Sequence, residues 1–509
     1  MQESANKKTR KFGNVNEMPI KDRPIRFSVA CNFEPELITK VSPYPVYELY
    51  GKLTTDYFGG GRPSFYLPKV DKPALASYVK QMHDQGMEFN YLLNSSSMNN
   101  VEFTTEGQRQ LAKLLDWLTE IEVDSITVSN LFFLRAIKKN YPHFKVRISA
   151  HRETDNARKV RFWEDNGADC VVISETTIHR EFKILQAMRD AVKIDLSLIV
   201  NNWCRQDCAI ASNHAVLLSN ASRRGKQNFP LDYCSVYCNA YRLEEPVNYI
   251  RANWIRPEDL HYYIDMGYTN FKIVERNTPT DILAMRVRAY NNQRYDGNLL
   301  DIVQNYAYPA SSFKTKQEKD YFSVKRMAKY FFKPTQVNLT KFPEIVQYGK
   351  LASMLYPREG DNPVYIDNRK LDGFLERFEK LGCEELDCEA CRYCHNWADK
   401  SVHFDPAWRK NMSETFDNLL DDLHSGSLWE PYFTSVKRMV ANKIKGKNAE
   451  EAIENQRIIG GEALPNAQNR MLDNQPVFPK GWTCANPKPE NAVSVGNEGP
   501  MPEEMVPEK

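Results

Sequence analysis

What this chain lacks narrows its function before any motif is read. Its first 24 residues are polar and basic, without the apolar stretch of a signal peptide, and no run of about 18 apolar residues occurs anywhere. The expectation is a protein of the reducing cytoplasm with no membrane partner, where clustered thiols mean metal or redox chemistry more often than disulfides. Net charge is scarce too. Sixty-eight basic against sixty-six acidic side chains leave only +2, so the global positive field of a dedicated nucleic-acid binder is absent. RNA as a partner gains no support from charge, and the local basic segments at residues 7–11 and 223–226 read as solvated charge. No G-x-S-x-G, no H-E-x-x-H and no glycine-rich dinucleotide fingerprint after the first strand appear, so serine-hydrolase, zinc-protease and nucleotide-binding readings lack their usual motifs.

Cysteine, by contrast, is concentrated. Of eleven cysteines, eight fall in two groups of four: Cys204, Cys208, Cys234 and Cys238, then Cys383, Cys388, Cys391 and Cys394. Close pairs bring thiolates to one point at little loop-closure cost, which is what a metal centre needs. In the second group the Cys-x2-Cys-x2-Cys run resembles that of ferredoxins, whose short spacing reaches adjacent corners of a cubane. Four thiolates equally suit tetrahedral zinc, and that alternative stays open. Cys391, Cys394 and His395 also spell the haem-attachment pattern, which normally goes with export and is set aside. Cys170 reads as a buried strand residue, Cys484 as a bystander in a polar tail, and Cys31 as either a small buried hydrophobe or a spare thiol.

Between the ends, short strand-like runs alternate with helical periodicity. Strands are expected at 26–30, 46–50, 88–93, 125–128, 145–148, 170–173, 194–200 and 270–274. Leu75, Tyr78, Val79 and Met82 fall on one helical face, as do Leu111, Leu114, Leu115 and Leu118, and residues 158–164 and 177–191 continue the pattern. Gly86, Gly167 and Gly267 stand where helices should end. The order predicts an α/β fold, a closed parallel (β/α)8-like barrel, with an open doubly wound sheet as the alternative. Four segments follow: a flexible basic N-terminus (1–24), the barrel (25–295) with a metal-holding loop at 201–254, a smaller, mainly helical cysteine-rich domain (296–440), and a largely disordered tail (441–509).

A barrel of this kind works at the C-terminal ends of its strands. There the sequence places Asn32, Asn94, Ser96, Ser129, Ser149, His151, Arg152, Ser174, Glu175, Asn201, Asn202, Glu275 and Arg276, with Cys204 opening the loop after the seventh strand. Glu175, His151 and Lys272 are candidates for proton transfer or for binding an anionic substrate, with structural ion pairing as the bland counterpart. The run from Gly59 to Arg62 offers an anion cradle or simply a turn. His214 is expected behind the thiolates, and Trp203, Tyr233, Tyr237 and Tyr241 are expected to pack around the metal loop.

The segments 88–94 (EFNYLLN), 123–128 (VDSITV), 147–150 (RISA), 167–175 (GADCVVISE), 201–204 (NNWC) and 267–276 (GYTNFKIVER) give the chain, over about residues 26–295, a resemblance to the collagenase-like peptidases, peptidase family U32. The resemblance implies a barrel-like domain whose cysteines, in several members, hold a [4Fe-4S] cluster. It further implies oxygen-independent hydroxylation of aromatic or heterocyclic rings in members of that type, and peptide hydrolysis in others. Glu175 takes the place of the family's glutamate after the sixth strand, and Lys272 and Arg276 that of its Lys-Ile-x-x-Arg segment. The usual His-Gly before the first cluster cysteine is replaced by Val200 and Asn201. The expected protein is an iron-sulfur redox enzyme with two [4Fe-4S] clusters, or one and a zinc, acting on a small organic substrate with an electron-transfer partner. Glu175, His151, Lys272 and Arg276 would position substrate and protons. A peptidase with structural metals and an RNA-modification factor are the alternatives.

Overall fold

The computed structural model describes residues 10–64, 67–222, 232–303, 363–383 and 387–427. Strands β1 (Arg26–Ala30), β2 (Val46–Gly51), β3 (Glu88–Leu93), β4 (Ser125–Val128), β5 (Lys145–Ile148), β6 (Cys170–Val172), β7 (Asp195–Ile199) and β8 (Asn270–Ile273) close in sequence order into a parallel barrel. β1 pairs with both β2 and β8, which rules out the open sheet. Helices α1 (Pro35–Val41), α2 (Lys72–Asp84), α3 (Thr105–Glu120), α4 (Leu131–Asn140), α5 (Ala157–Asp165) and α6 (Phe182–Ala191) cross between successive strands. Their apolar stripes meet the outward-facing strand residues, as Leu111, Leu114, Leu115 and Leu118 of α3 do.

Inside, the barrel is polar. Arg26 pairs with Asp195 at 2.5 Å and Arg147 with Glu48 at 2.8 Å, both pairs almost wholly buried. Ser28 and Asn90 donate to Glu48, and Asn270 donates to Asp195, so these charges are hydrogen-bonded as burial requires. Above this layer Ala150, Val172 and Ile199 form a small apolar cluster of their own, with Val274 against it.

Two expectations change. Residues 10–24, read as a flexible basic arm, run under the N-terminal ends of the strands: Arg10 pairs with Asp124, Lys11 N–H bonds Gly86 O, and buried Arg23 donates to Lys193 O at 2.5 Å. Their polarity is spent on carbonyls and on the Asp124 carboxylate of the barrel floor. Helix α6 begins at Phe182, not at residue 177, because His179 and Arg180 leave the helical path and bond the carbonyls of Asn253, Ile250 and Ala252.

After β7 the chain makes α7 (Ala211–Ala221), α8 (Tyr233–Glu244) and α9 (Val247–Ile250), so the expected loop is largely helical. Then come α10 (Leu260–Asp265), which precedes β8, and α11 (Thr280–Asn291) and α12 (Leu299–Val303), which follow it. Cys388, Cys391 and Cys394 of the second cysteine group lie on α13 (Cys388–Cys391) and α14 (Tyr393–Ser401), followed by α15 (Pro406–His424), with an antiparallel pair of β9 (Val364–Ile366) and β10 (Val402–Phe404) beside them. Among the described residues of the segment expected as a separate domain from residue 296, α15 lies on α8 and α14 on α9. The Trp254 and Phe374 rings lie tilted with centroids 5.5 Å apart, and buried Arg256 donates to Asn368 O and Asp372, so this segment covers the barrel's loop face. The expected tail, 441–509, and Cys484 lie outside the described residues.

Candidate active site

The mouth of the barrel is held by asparagines. At the end of β7, Asn201 accepts from Val274 N–H and donates to Val274 O, tying β7 to β8. Asn202 donates to Glu175 O and accepts from Cys204 N–H, which ties β7 to the end of β6 and turns the chain into the first cysteine pair. The chain then crosses Asp207, in a left-handed conformation, whose N–H bonds Thr176 O. Asp232 caps α8 through Ser235 N–H and accepts from, or pairs with, His214 at 3.0 Å. His214 thus lines the cavity alongside the thiols, held by Asp232.

Above the mouth lies a cavity of about 120 Å³. Cys204, Cys208, Cys234 and Cys238 all line it, together with His151 and Glu175. Burial raises the thiol pKa of Cys204 and Cys208, and that of Cys234 to about 11. Among the described residues, no three His, Cys, Asp or Glu side chains converge as a single metal ion requires. The sulfurs share a chamber without meeting at a point. Trp203, Arg205 and Arg242 complete the wall beside them. Arg242 is buried, lies 4.3 Å over the Trp203 ring, donates to Asn239, and leaves its Nε without a hydrogen-bond partner among the described residues. Such a guanidinium suits a chamber that receives negative charge. A cluster carrying four thiolates is anionic, so the donor set and the surrounding charge fit that group.

Of the proton-transfer candidates, Glu175 and His151 line the cavity, whereas Lys272 and Arg276 do not. Burial raises the Glu175 pKa against the pull of Arg62 and Lys272. Lys272 lies deeper in the barrel, its Nζ 4.0 Å from the Tyr50 ring centre, with its pKa lowered by burial to about 8. His151 is pushed down to about 3 by burial and then by Arg62, Arg152 and Lys272, so it is neutral at ordinary pH. Its Nδ1 is 3.4 Å from Ser96 Oγ. Arg276 sits beside Glu275 and Tyr50, with burial lowering its pKa to about 10.

The glycine run is a turn, not an anion cradle. Gly59 N–H bonds Asp56, Gly60 N–H bonds Ser222, and Gly61 N–H bonds Asn94, so no amide is left for an anion. Gly61 is required by crowding, for a Cβ there would lie 2.2 Å from His151 Cε1. Arg62 pairs with Glu275 at 2.6 Å and, despite the opposing effect of burial, holds that carboxyl below its usual range. Tyr233, Tyr237 and Tyr241 stack in a ladder along α8, with Tyr237 exposed, and none lines the cavity; only Trp203 does. Cys31 is buried away from it, its pKa raised by burial to about 12.

Sequence reading missed Arg242 and Arg205. Arg242 was within reach, because Cys234, Cys238 and Arg242 repeat every four residues and so share one helical face.

The family model for peptidase family U32 matches residues 66–338, a span of more than half the chain. A curated relative from Methanocaldococcus jannaschii, named an uncharacterized protease, is 26% identical over 352 residues, covering 68% of this chain and 86% of its own. Among solved structures, a U32 peptidase is similar with 17% identity and a TM-score of 0.37, covering 49% of this chain and 92% of that one. An IMP dehydrogenase/GMP reductase-like protein from Corynebacterium glutamicum is similar with 7% identity and a TM-score of 0.24, over 39% and 62% of the two chains. From the extent of the family match, the chain belongs to peptidase family U32.

Proposed function

We propose that this chain is an iron-sulfur redox enzyme that carries out oxygen-independent hydroxylation, or a related oxidation-reduction, of a small aromatic or heterocyclic substrate at the barrel mouth. The observation that carries the reading is the single cavity lined by four cysteines together with Glu175 and His151. A zinc ion draws its sulfurs to within about 2.3 Å of one centre. A cubane instead gives each thiolate its own iron. Cys204, Cys208, Cys234 and Cys238 would hold that cluster, which supplies one-electron transfer when bound.

The chain's own groups divide the remaining work. Glu175, its pKa raised by burial, exchanges a proton with substrate near neutral pH more readily than an exposed carboxylate would. His151 is neutral and offers a hydrogen bond without charge. Lys272 and Arg276 set the positive potential under the chamber, favouring a substrate that bears or develops negative charge. Arg62 and Glu275 fix the rim.

A hydrolase is the second reading, favoured by the Ser96–His151 contact and by the name of the relative. Against it stands the histidine's pKa of about 3, far from the value near 7 that suits a general base. The two readings part in one assay. Protein prepared without oxygen should contain iron and sulfide, and Glu175→Gln should keep the cluster while losing at least 10²-fold in anaerobic ring oxidation, the lower end of about 10²–10⁴ for general acid-base catalysis. Peptide cleavage that survives removal of all metal, and is abolished by Ser96→Ala, would replace this proposal with the hydrolase.

A further inference from the structure

Outside the chamber, the second thiol group is also assembled by the fold. Cys383 N–H bonds Glu181 Oε1 at 2.7 Å, which anchors the first thiol to the segment between β6 and α6. Asp387 caps α13 by accepting from Glu389 and Ala390 N–H, and Arg392, left-handed at φ 48°, breaks the helix between Cys391 and Cys394. The break turns the chain between the two short helices, and Cys383 and Cys394 pack against one core with Tyr393 and Trp397, close enough that both feel the charge of Cys388.

Positive charge from Arg180 and Arg251 lies beside this group, with the Glu181 carboxylate at Cys383 and Glu389 at Arg251 and His395. Arg180, 1% exposed, acts on both Cys383 and Cys394, and forms no ion pair with a carboxylate among the described residues. Its Nη2 donates to Ile250 O and Ala252 O, its faces rest on Trp254 and Phe374, and its Nε has no partner. Arg251 Nε and His395 Nδ1 are likewise buried without partners, although Arg251 reaches Glu389 at 3.4 Å. Neutral thiols would leave Arg180 as an uncompensated buried cation, which is costly. Four thiolates on a cubane carry the negative charge that it lacks.

We infer that Cys383, Cys388, Cys391 and Cys394 hold a second iron-sulfur cluster, the outward member of a pair that exchanges electrons with the chamber. Exposed Cys388 places it at the surface, within reach of a one-electron carrier protein. Its inner side is joined to the chamber by hydrogen bonds through a single stretch of chain: Arg180 donates to Ala252 O, and the next residue, Asn253, donates to Cys204 O. One electron lost by the carrier is gained by the outer site and then by the chamber site, or the reverse; no bond is made or broken. The binding of the outer cluster stands by itself, whereas its relay role rests on the chamber reading above.

The test uses the full chain, reconstituted without oxygen, with Cys388→Ser, chosen because that side chain is exposed, and with Cys234→Ser. About eight irons are expected in the parent and about four in each variant, with two distinct paramagnetic signals of which each variant loses one. Iron unchanged in Cys388→Ser, or zinc in place of iron in the parent, overturns the second cluster. Iron halved by Cys388→Ser but untouched by Cys234→Ser instead overturns the chamber reading and, with it, the relay. Should Cys388→Ser fail to fold, the parent's two signals and its iron count still decide. For the relay, reduced methyl viologen should reduce the chamber cluster at least tenfold more slowly in Cys388→Ser, and an equal rate overturns it.

Discussion

Lys272 is held against its own stability. Its ammonium lies inside the barrel over Tyr50, no carboxylate pairs with it among the described residues, and burial lowers its pKa from 10.5 to about 8. Because the unfolded chain keeps this proton up to about pH 10.5 while the folded protein releases it near 8, folding is penalised below pH 8 and relieved as the pH rises through that window. Lys272→Met should therefore stabilise cluster-free protein at pH 7 by roughly 1–3 kcal/mol, each pKa unit being worth about 1.4 kcal/mol and nearby water screening part of it. The gain should fade toward pH 10 while turnover is lost, as thermal melting at several pH values and an activity assay would show. A gain that is flat with pH would mean that the charge is not the cause. At this scale the sequence supplied the residue types, and Lys272 and Glu175 were legible as candidates at strand ends. Arg180 was not, because its role depends on thiols some 200 residues away in the chain.

Among the elements, the end of β7 controls the site. Its two asparagines, 0% and 3% exposed, replace missing ladder partners where the strands stop. Asn202→Ala strips a partner from Glu175 O and another from Cys204 N–H. It should cost about 2–4 kcal/mol, each unsatisfied buried group being worth about 1–3 kcal/mol. Iron retention should fall with it, measured by denaturant unfolding and metal analysis, whereas exposed Asn291→Ala should leave both unchanged. The strands themselves were readable from short apolar runs, and the helices from their 3.6-residue period, within a residue or two at most ends. The start of α6 was not. His179 and Arg180 fit a helical pattern locally, and only the carbonyls of residues 250–253 draw them out of it. The ladder tyrosines, next to Cys234 and Cys238 in sequence, lie on a neighbouring face of α8.

For the whole molecule, barrel and second cysteine segment share one core. Phe374 and Phe378 lie with Trp254 and Arg180, Phe404 meets Tyr249, and Asn298 bonds the backbone of Val364 and Ile366. A chain ending at residue 303 should therefore expose this face and be recovered as aggregate, or as a species that binds a hydrophobic dye. A soluble, cooperatively melting fragment with bound iron would show instead that the barrel is an independent domain.

Sequence alone determined the α/β barrel order and the two thiol groups, because periodicity and ligand spacing are local properties written within a few dozen residues. Tertiary structure decided which side chains share a chamber, that Lys272 and Arg276 lie beneath it, that the N-terminal arm closes the floor and that the second thiol group is built onto the barrel. These depend on contacts between residues far apart in the chain, where charge compensation and the covering of apolar surface outweigh local preference.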